Sequence, residues 1–143
     1  MFLLDTNVVS ELRKARAGRA DKNVATWAAG ESAVSMFVSV ITIQELEIGV
    51  LLAERRDPSQ GAVLRRWLEE QVLPAFVERT IPVDLAVARR SVVLHVPDPR
   101  PVRDALIAAT ALVHGMSVVT RNVADFAPMG TRIIDPWESA DPA

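Results

Sequence analysis

Asp5, Glu45, Asp104 and Asp125 are the residues of this chain best suited to chemistry. Each stands where an apolar run ends or a helical pattern begins. Asp5 closes Phe2-Leu3-Leu4, and Glu45 follows the run Met36 to Ile43. Asp104 opens a helical stretch ending near His114, and Asp125 comes shortly after Ser117-Val118-Val119-Thr120. In a parallel α/β sheet, strand ends and the helix starts after them collect on one edge, where ligands bind. Carboxylates crowded there repel one another unless protonated or bound to a cation. Oxygen-only ligand sets favour Mg²⁺ or Mn²⁺. The pattern points to metal-dependent hydrolysis of phosphodiesters.

Taken singly, each acid has a structural explanation. Asp5-Thr6-Asn7 can cap a first helix. Thr42-Ile43-Gln44-Glu45 has the form of a capping box, with Glu45 bonding back to the Thr42 amide. Asp104, in a first helical turn, complements the helix dipole. Asn122 or Asp125 can cap a short turn before Phe126. Capping does not explain four acids on one sheet edge, but that convergence depends on a strand order that periodicity does not supply.

Other polar residues read as structural. Glu11, Glu47, Glu54, Glu69, Glu70 and Glu78 fall on charged helix faces, and Asp57, Asp98, Asp135 and Asp141 adjoin prolines and mark turns. His114 suits the last turn of a helix, and His95 sits beside a Pro-rich loop with no evident partner. There is no Gly-x-Ser-x-Gly elbow, phosphate-cradling Gly loop or His-Glu-x-x-His helix. Trp27, Trp67 and Trp137 fall at apolar positions and read as core, with no base-stacking platform in view.

The elements that must position the acids alternate between short apolar runs and longer helical patterns, the signature of an α/β fold. Strands are predicted at Phe2–Leu4, Met36–Val40, Arg79–Pro82, Ser117–Thr120 and Thr131–Ile134. Helices are predicted over Val8–Lys14, Asn23–Ala29, and Thr42 to about Arg56, where Asp57-Pro58 breaks the pattern. Val63, Leu64, Trp67, Leu68 and Val72 follow at helical spacing. Asp84 can cap a helix reaching His95, Val96–Pro101 must be a loop, and Val102–His114 is a helix stopped by Gly115. The tail after Pro136 is expected to fray, with Trp137 able to pack back. The patterns at Ile43–Ala53 and Val63–Leu73 carry more apolar residues than one buried stripe needs, as expected of a surface that a second copy or a partner helix covers.

The 143 residues suit one domain with a substantial core. The absence of Cys excludes disulfides and thiolate metal sites, and fits a reducing cytoplasm. An acid at position 5 leaves no secretory apolar stretch, and no run approaches the roughly 18 residues of a membrane span. A net charge of −2 counts against a passive nucleic-acid binder, and less against a nuclease whose acids are offset by metal. Apart from Lys14 and Lys22 the cations are Arg, which can grip phosphate bidentately.

Four strings, in order, resemble the PIN-domain ribonucleases, and specifically the VapC-type toxins of bacterial toxin–antitoxin pairs. They are Leu3-Leu4-Asp5-Thr6-Asn7, Ser39-Val40-Ile41-Thr42-Ile43-Gln44-Glu45-Leu46, Asp104 to Ala111, and Val119-Thr120-Arg121-Asn122-Val123-Ala124-Asp125-Phe126. Asp135-Pro136-Trp137 is similar to the family's endings, so the likeness spans essentially the whole chain. It implies a three-layer α/β/α fold with a central, mostly parallel sheet, a Mg²⁺ or Mn²⁺ site, and RNA cleavage. It also implies a homodimer and neutralisation by a small antitoxin. Asp5, Glu45 and Asp104 map onto the family's acids. The fourth position departs: many relatives carry Asp directly after Thr-Arg, where this chain has Asn122, so Asp125 is expected to serve. Thr6, Asn7, Thr120 and Asn122 are expected in support, and Arg103 and Arg121 stand where they could steer RNA.

Two other classes compete. An aspartyl-phosphate phosphohydrolase would use Asp5 as nucleophile, but it calls for a second Asp where Asn7 stands and for a well-placed Lys. A non-catalytic PIN-like binding module would keep the acids for folding alone.

Overall fold

The computed structural model describes residues 1–138; Asp141, expected at a turn, lies outside the described residues. Five strands form one sheet: β1 (Phe2–Leu4), β2 (Met36–Ser39), β3 (Thr80–Ile81), β4 (Ser117–Val119) and β5 (Ile133–Ile134). Their order is β3-β2-β1-β4-β5, and every pairing is parallel. In register, Leu3 lies beside Phe37 and Val118, and Leu4 beside Val119. Four predicted strands are trimmed at one or both ends. The third lacks Arg79 and Pro82, and Pro cannot donate to a ladder.

The central strands are apolar on both faces because helices cover both. On one side Leu3 and Val118 pack with Ala105, Ile107, Ala108 and Ala111 of α7 (Val102–His114). On the other, Leu4, Val38 and Val119 pack with Val8 and Val9 of α1 (Thr6–Leu12) and with Leu46 and Val50 of α3 (Val40–Arg56). This is the expected three-layer α/β/α arrangement. α2 (Lys22–Ala29) brings Trp27 edge-on to Phe2, with ring centroids 5.3 Å apart. Trp137 packs back against the same core, and its carbonyl accepts from Asn23.

Asp57 ends α3 and caps α4 (Pro58–Trp67) through the amides of Ser59 and Gln60. The stretch then passes through a wider turn over Leu68–Val72 into α5 (Leu73–Ala75). α3 and α4 cross closely at Gly61, where an added Cβ would lie 2.4 Å from the Glu54 Cα. Arg65 of α4 ties the pair together by reaching Glu47 and Glu54 of α3. α6 (Leu85–Val92) is capped by Asp84, and the loop after it is held by His95, whose Nδ1 accepts from the Arg100 amide at 3.1 Å. α7 ends at Gly115, whose φ of 66° suits glycine. α8 (Val123–Phe126) follows β4.

The capping box expected at Thr42 is not formed. β2 passes into α3 without a loop, so the helix starts at Val40 and Ser39 is its cap, accepting from the Ile41 amide at 3.0 Å. Thr42 is buried inside the helix and its hydroxyl has no partner. Glu45 is thereby released from a capping role. The first helix likewise starts at Thr6 rather than Val8, because Asp5 caps it.

Candidate active site

The strand order brings the four acids to the carboxyl edge. Asp5 directly follows β1, Glu45 lies in the second turn of the helix leaving β2, Asp104 is in the first turn of α7, and Asp125 is in α8 after β4. β1 is central, with the chain running to β2 on one side and to β4 on the other, so this is a topological switch point.

Asp5 is only 4% exposed and fixed at both oxygens. Oδ1 accepts from the Thr6 amide at 2.8 Å, and Oδ2 from the Thr120 hydroxyl at 2.8 Å and the Asn7 amide at 3.3 Å. Thr120 in turn accepts from the Asn122 backbone at 3.0 Å, and Asn7 Oδ1 from the Arg121 backbone at 3.2 Å. Thr6, Asn7 and Thr120 thus all donate to the Asp5 carboxylate. Asn122 enters through its backbone, and its side chain does not cap α8.

Glu45 Oε1 accepts from the Thr6 hydroxyl at 2.7 Å, while Oε2 faces Arg103 Nε at 3.8 Å. Thr6 therefore touches Asp5 through its amide and Glu45 through its hydroxyl. Asp125 is exposed, one turn beyond Asn122, whose carbonyl accepts its amide at 3.1 Å.

The acids sense one another. Burial, then the charges of Asp5, Asp125 and Glu45, pushes Asp104 up to about 6 against the opposing charge of Arg103. Burial also raises Asp5, which the Thr120 and Thr6 hydrogen bonds partly offset and the charges of Glu45 and Asp125 reinforce. An acid cluster so weakly compensated by protein cations is suited to a bound one.

Among the described residues, no three acids already enclose a single point as a metal cage would. Glu45 is turned to Thr6 and Arg103, and Asp125 stands at the rim. An open arrangement of hard oxygens fits Mg²⁺, which keeps several waters and takes one or two carboxylates directly.

Lys14, which follows α1, is paired with Glu11 at 3.2 Å and not with Asp5, so it does not supply the lysine that an aspartyl-phosphate mechanism calls for. Two residues to which the sequence assigned no functional role lie beside the acids. Arg13 and Trp67 border a recess that also reaches Thr6 and Glu45. Trp67 reads as a core residue from its helical spacing, and it is in fact half-buried. The clustering Arg65-Arg66-Trp67 is the one signal that could have marked it.

A parallel sheet with an acid cluster at its switch point defines a class of carboxylate-bearing α/β hydrolases. The sequence matches the PIN domain over residues 2–127, and the chain belongs to that family. It is 37% identical to the VapC ribonuclease Y4jK of Sinorhizobium fredii, over 98% of this chain and 100% of that protein. Among solved structures, FitAcB from Neisseria gonorrhoeae is similar at a TM-score of 0.86 and 31% identity, covering 96% of this chain and 99% of that one. A toxin–antitoxin complex from Klebsiella pneumoniae is similar at 0.66 and 27% identity, covering 96% and 99%.

Proposed function

We propose that this chain is a metal-dependent endoribonuclease, the toxin of a toxin–antitoxin pair, in which residues 1–143 act as one nuclease domain. The observation that carries the reading is the convergence of Asp5, Glu45, Asp104 and Asp125 at the switch point of a PIN-domain sheet. The kinship with a VapC ribonuclease and the likeness to a toxin–antitoxin complex support RNA as substrate and a small antitoxin protein as partner.

In this reading Asp5 and Asp104 would hold the Mg²⁺ or Mn²⁺, with Glu45 and Asp125 adding to the carboxylate set. A bound divalent ion supplies Lewis-acid stabilisation of the phosphoryl oxygens and acidifies water. Thr120, Asn7 and the Thr6 amide hold Asp5 in one orientation. Glu45, steadied by Thr6, orients the attacking water and accepts its proton. Arg103 faces Glu45 and Arg121 directly follows Thr120, so in this reading both meet the incoming RNA phosphates.

Ile48, Leu51 and Leu52 of α3 and Val63 of α4 are exposed in addition to the buried stripe of Leu46, Val50 and Ala53. This surplus supports association with an antitoxin helix or a second copy of the chain. Among the described residues no helix is long and apolar enough to cross a membrane, in keeping with a cytoplasmic enzyme. The reading is tested by incubating purified, antitoxin-free protein with RNA in Mg²⁺ or Mn²⁺. Cleavage that stops with EDTA supports it, and intact RNA under every metal condition refutes it.

A further inference from the structure

The recess beside Glu45 has a second wall that the acid cluster does not use. It is a cavity of about 290 Å³, bordered by Thr6 and Glu45 at the catalytic end and by Arg13, Leu64 and Trp67 beyond. Two further recesses adjoin it. One, of about 160 Å³, adds Arg16 and Gln71; the other, of about 260 Å³, adds Arg66. Arg13 and Trp67 border all three. The Arg13 guanidinium lies over the Trp67 ring, 5.9 Å from its centroid. Among the described residues, Arg13, Arg16 and Arg66 form no salt bridge, whereas the adjacent Arg65 is held by three glutamates.

We propose that this track holds single-stranded RNA on one side of the cleaved bond. An unpaired base enters the cavity against the Arg13–Trp67 pair, and the phosphates beyond it lie on Arg16 and Arg66. The inference rests on the ribonuclease reading and extends it to a substrate subsite. Because the cavity shares Thr6 and Glu45 with the acid cluster, its occupant sits next to the reacting phosphate. A nucleobase has apolar faces and a polar edge, matching walls of Leu46, Val50, Leu64 and Trp67 with Ser10 and Arg13 as polar groups. Aromatic rings and guanidinium planes are the surfaces on which unpaired bases stack. The chain as a whole carries a net charge of −2, so three unpaired arginines gathered beside a phosphodiester-cleaving site favour a polyanion over an apolar protein segment.

The test is a double-mutant cycle between protein and RNA. A single abasic nucleotide is moved through the positions flanking the cleaved bond, and KM and kcat are measured for wild type and Trp67→Leu, with Arg13→Ala as a second variant should Trp67→Leu not fold. Binding is measured in parallel by fluorescence anisotropy in the Asp104→Asn background. At one flanking position the abasic substitution is expected to weaken binding roughly 5- to 150-fold, the range for one stacked base. The protein variant should cost a similar factor through KM, and the two together no more than either alone. Additive losses, or RNA affinity unmoved by Trp67→Leu and Arg13→Ala, would overturn the subsite and leave the recess to a protein segment. Non-additive binding by a protein that never cuts RNA would keep the subsite and refute the nuclease reading; cleavage with additive losses would do the reverse.

Discussion

Thr6 donates its hydroxyl to Glu45 Oε1 at 2.7 Å, linking residues 39 apart in sequence. It therefore joins the helix after β1 to the helix after β2. The same residue gives its amide to Asp5, so one side chain and one peptide group set the orientation of two acids. Thr6→Val keeps the shape and removes the donor. Losing a group that orients a metal-binding side chain typically costs about 10–100-fold in affinity or activity. Thr6→Val should show a loss of that size in a Mg²⁺ titration of cleavage, and Thr6→Ser should recover most of it. Equal activity in wild type and Thr6→Val would show that Glu45 needs no such support.

Asp104 makes the metal-free protein sensitive to pH. Its carboxyl titrates at about 6 in the fold, above the 3.8 of an unperturbed Asp. The folded state thus holds the proton more tightly than the unfolded state, and Asp5 is shifted the same way. The sign follows: stability from this group is greatest below about pH 4 and falls as pH rises through about 6. Without metal, Tm should fall across that window, and Asp104→Asn should flatten the fall. Mg²⁺ should raise the wild-type Tm more above pH 6 than below it, because binding needs the carboxylate. Thermal scans with and without Mg²⁺ check both, and a Tm indifferent to the metal at every pH would contradict the assignment of Asp104 as a ligand.

Asp125 is exposed at the rim, so its contribution should be smaller than that of buried Asp5 or partly buried Asp104. Asp125→Asn should raise the Mg²⁺ needed for half-maximal cleavage by roughly 10–100-fold and leave residual activity at high metal. Asn122→Asp, which adds a charge on the same turn, should be tolerated and tighten metal binding. A wild-type titration curve for Asp125→Asn would reduce Asp125 to a residue of the α8 turn.

Gly61 is set by the α3–α4 crossing, not by any turn. Ala is the better helix former by roughly 1 kcal/mol. An Ala Cβ at this position would nevertheless meet the Glu54 backbone at 2.4 Å, where no side chain can swing aside. Overpacking typically costs about 1–3 kcal/mol, so Gly61→Ala should destabilise despite its propensity. Urea unfolding measures the difference, and a more stable variant would mean that the helices separate freely.

Much of this arrangement is legible in the sequence. The apolar runs mark the strands because central parallel strands are buried on both faces, and Gly115 and Asp84 end and begin helices by local chemistry alone. Glu45 shows where local reading fails. Thr42-x-x-Glu45 has the capping-box spacing, but β2 runs straight into α3, and a tertiary partner, Thr6, takes Glu45 instead. The network of Thr120, Asn7 and Asp5 was likewise invisible, because it joins segments 113 to 115 residues apart. Trp67 has core spacing on α4, and only the packing of α1 against α3 shows that its ring borders a recess at the acid cluster.

The most direct test of the account is RNA cleavage by Asp104→Asn beside wild type, each with Mg²⁺ and with EDTA, after both are shown to be folded. Asn preserves the volume and removes one negative charge from the cluster. Wild type should cut RNA with Mg²⁺ and stop with EDTA, while folded Asp104→Asn should cut in neither condition. Equal cleavage by the folded variant, or cleavage by wild type that persists in EDTA, would contradict a metal-dependent nuclease built on these four acids.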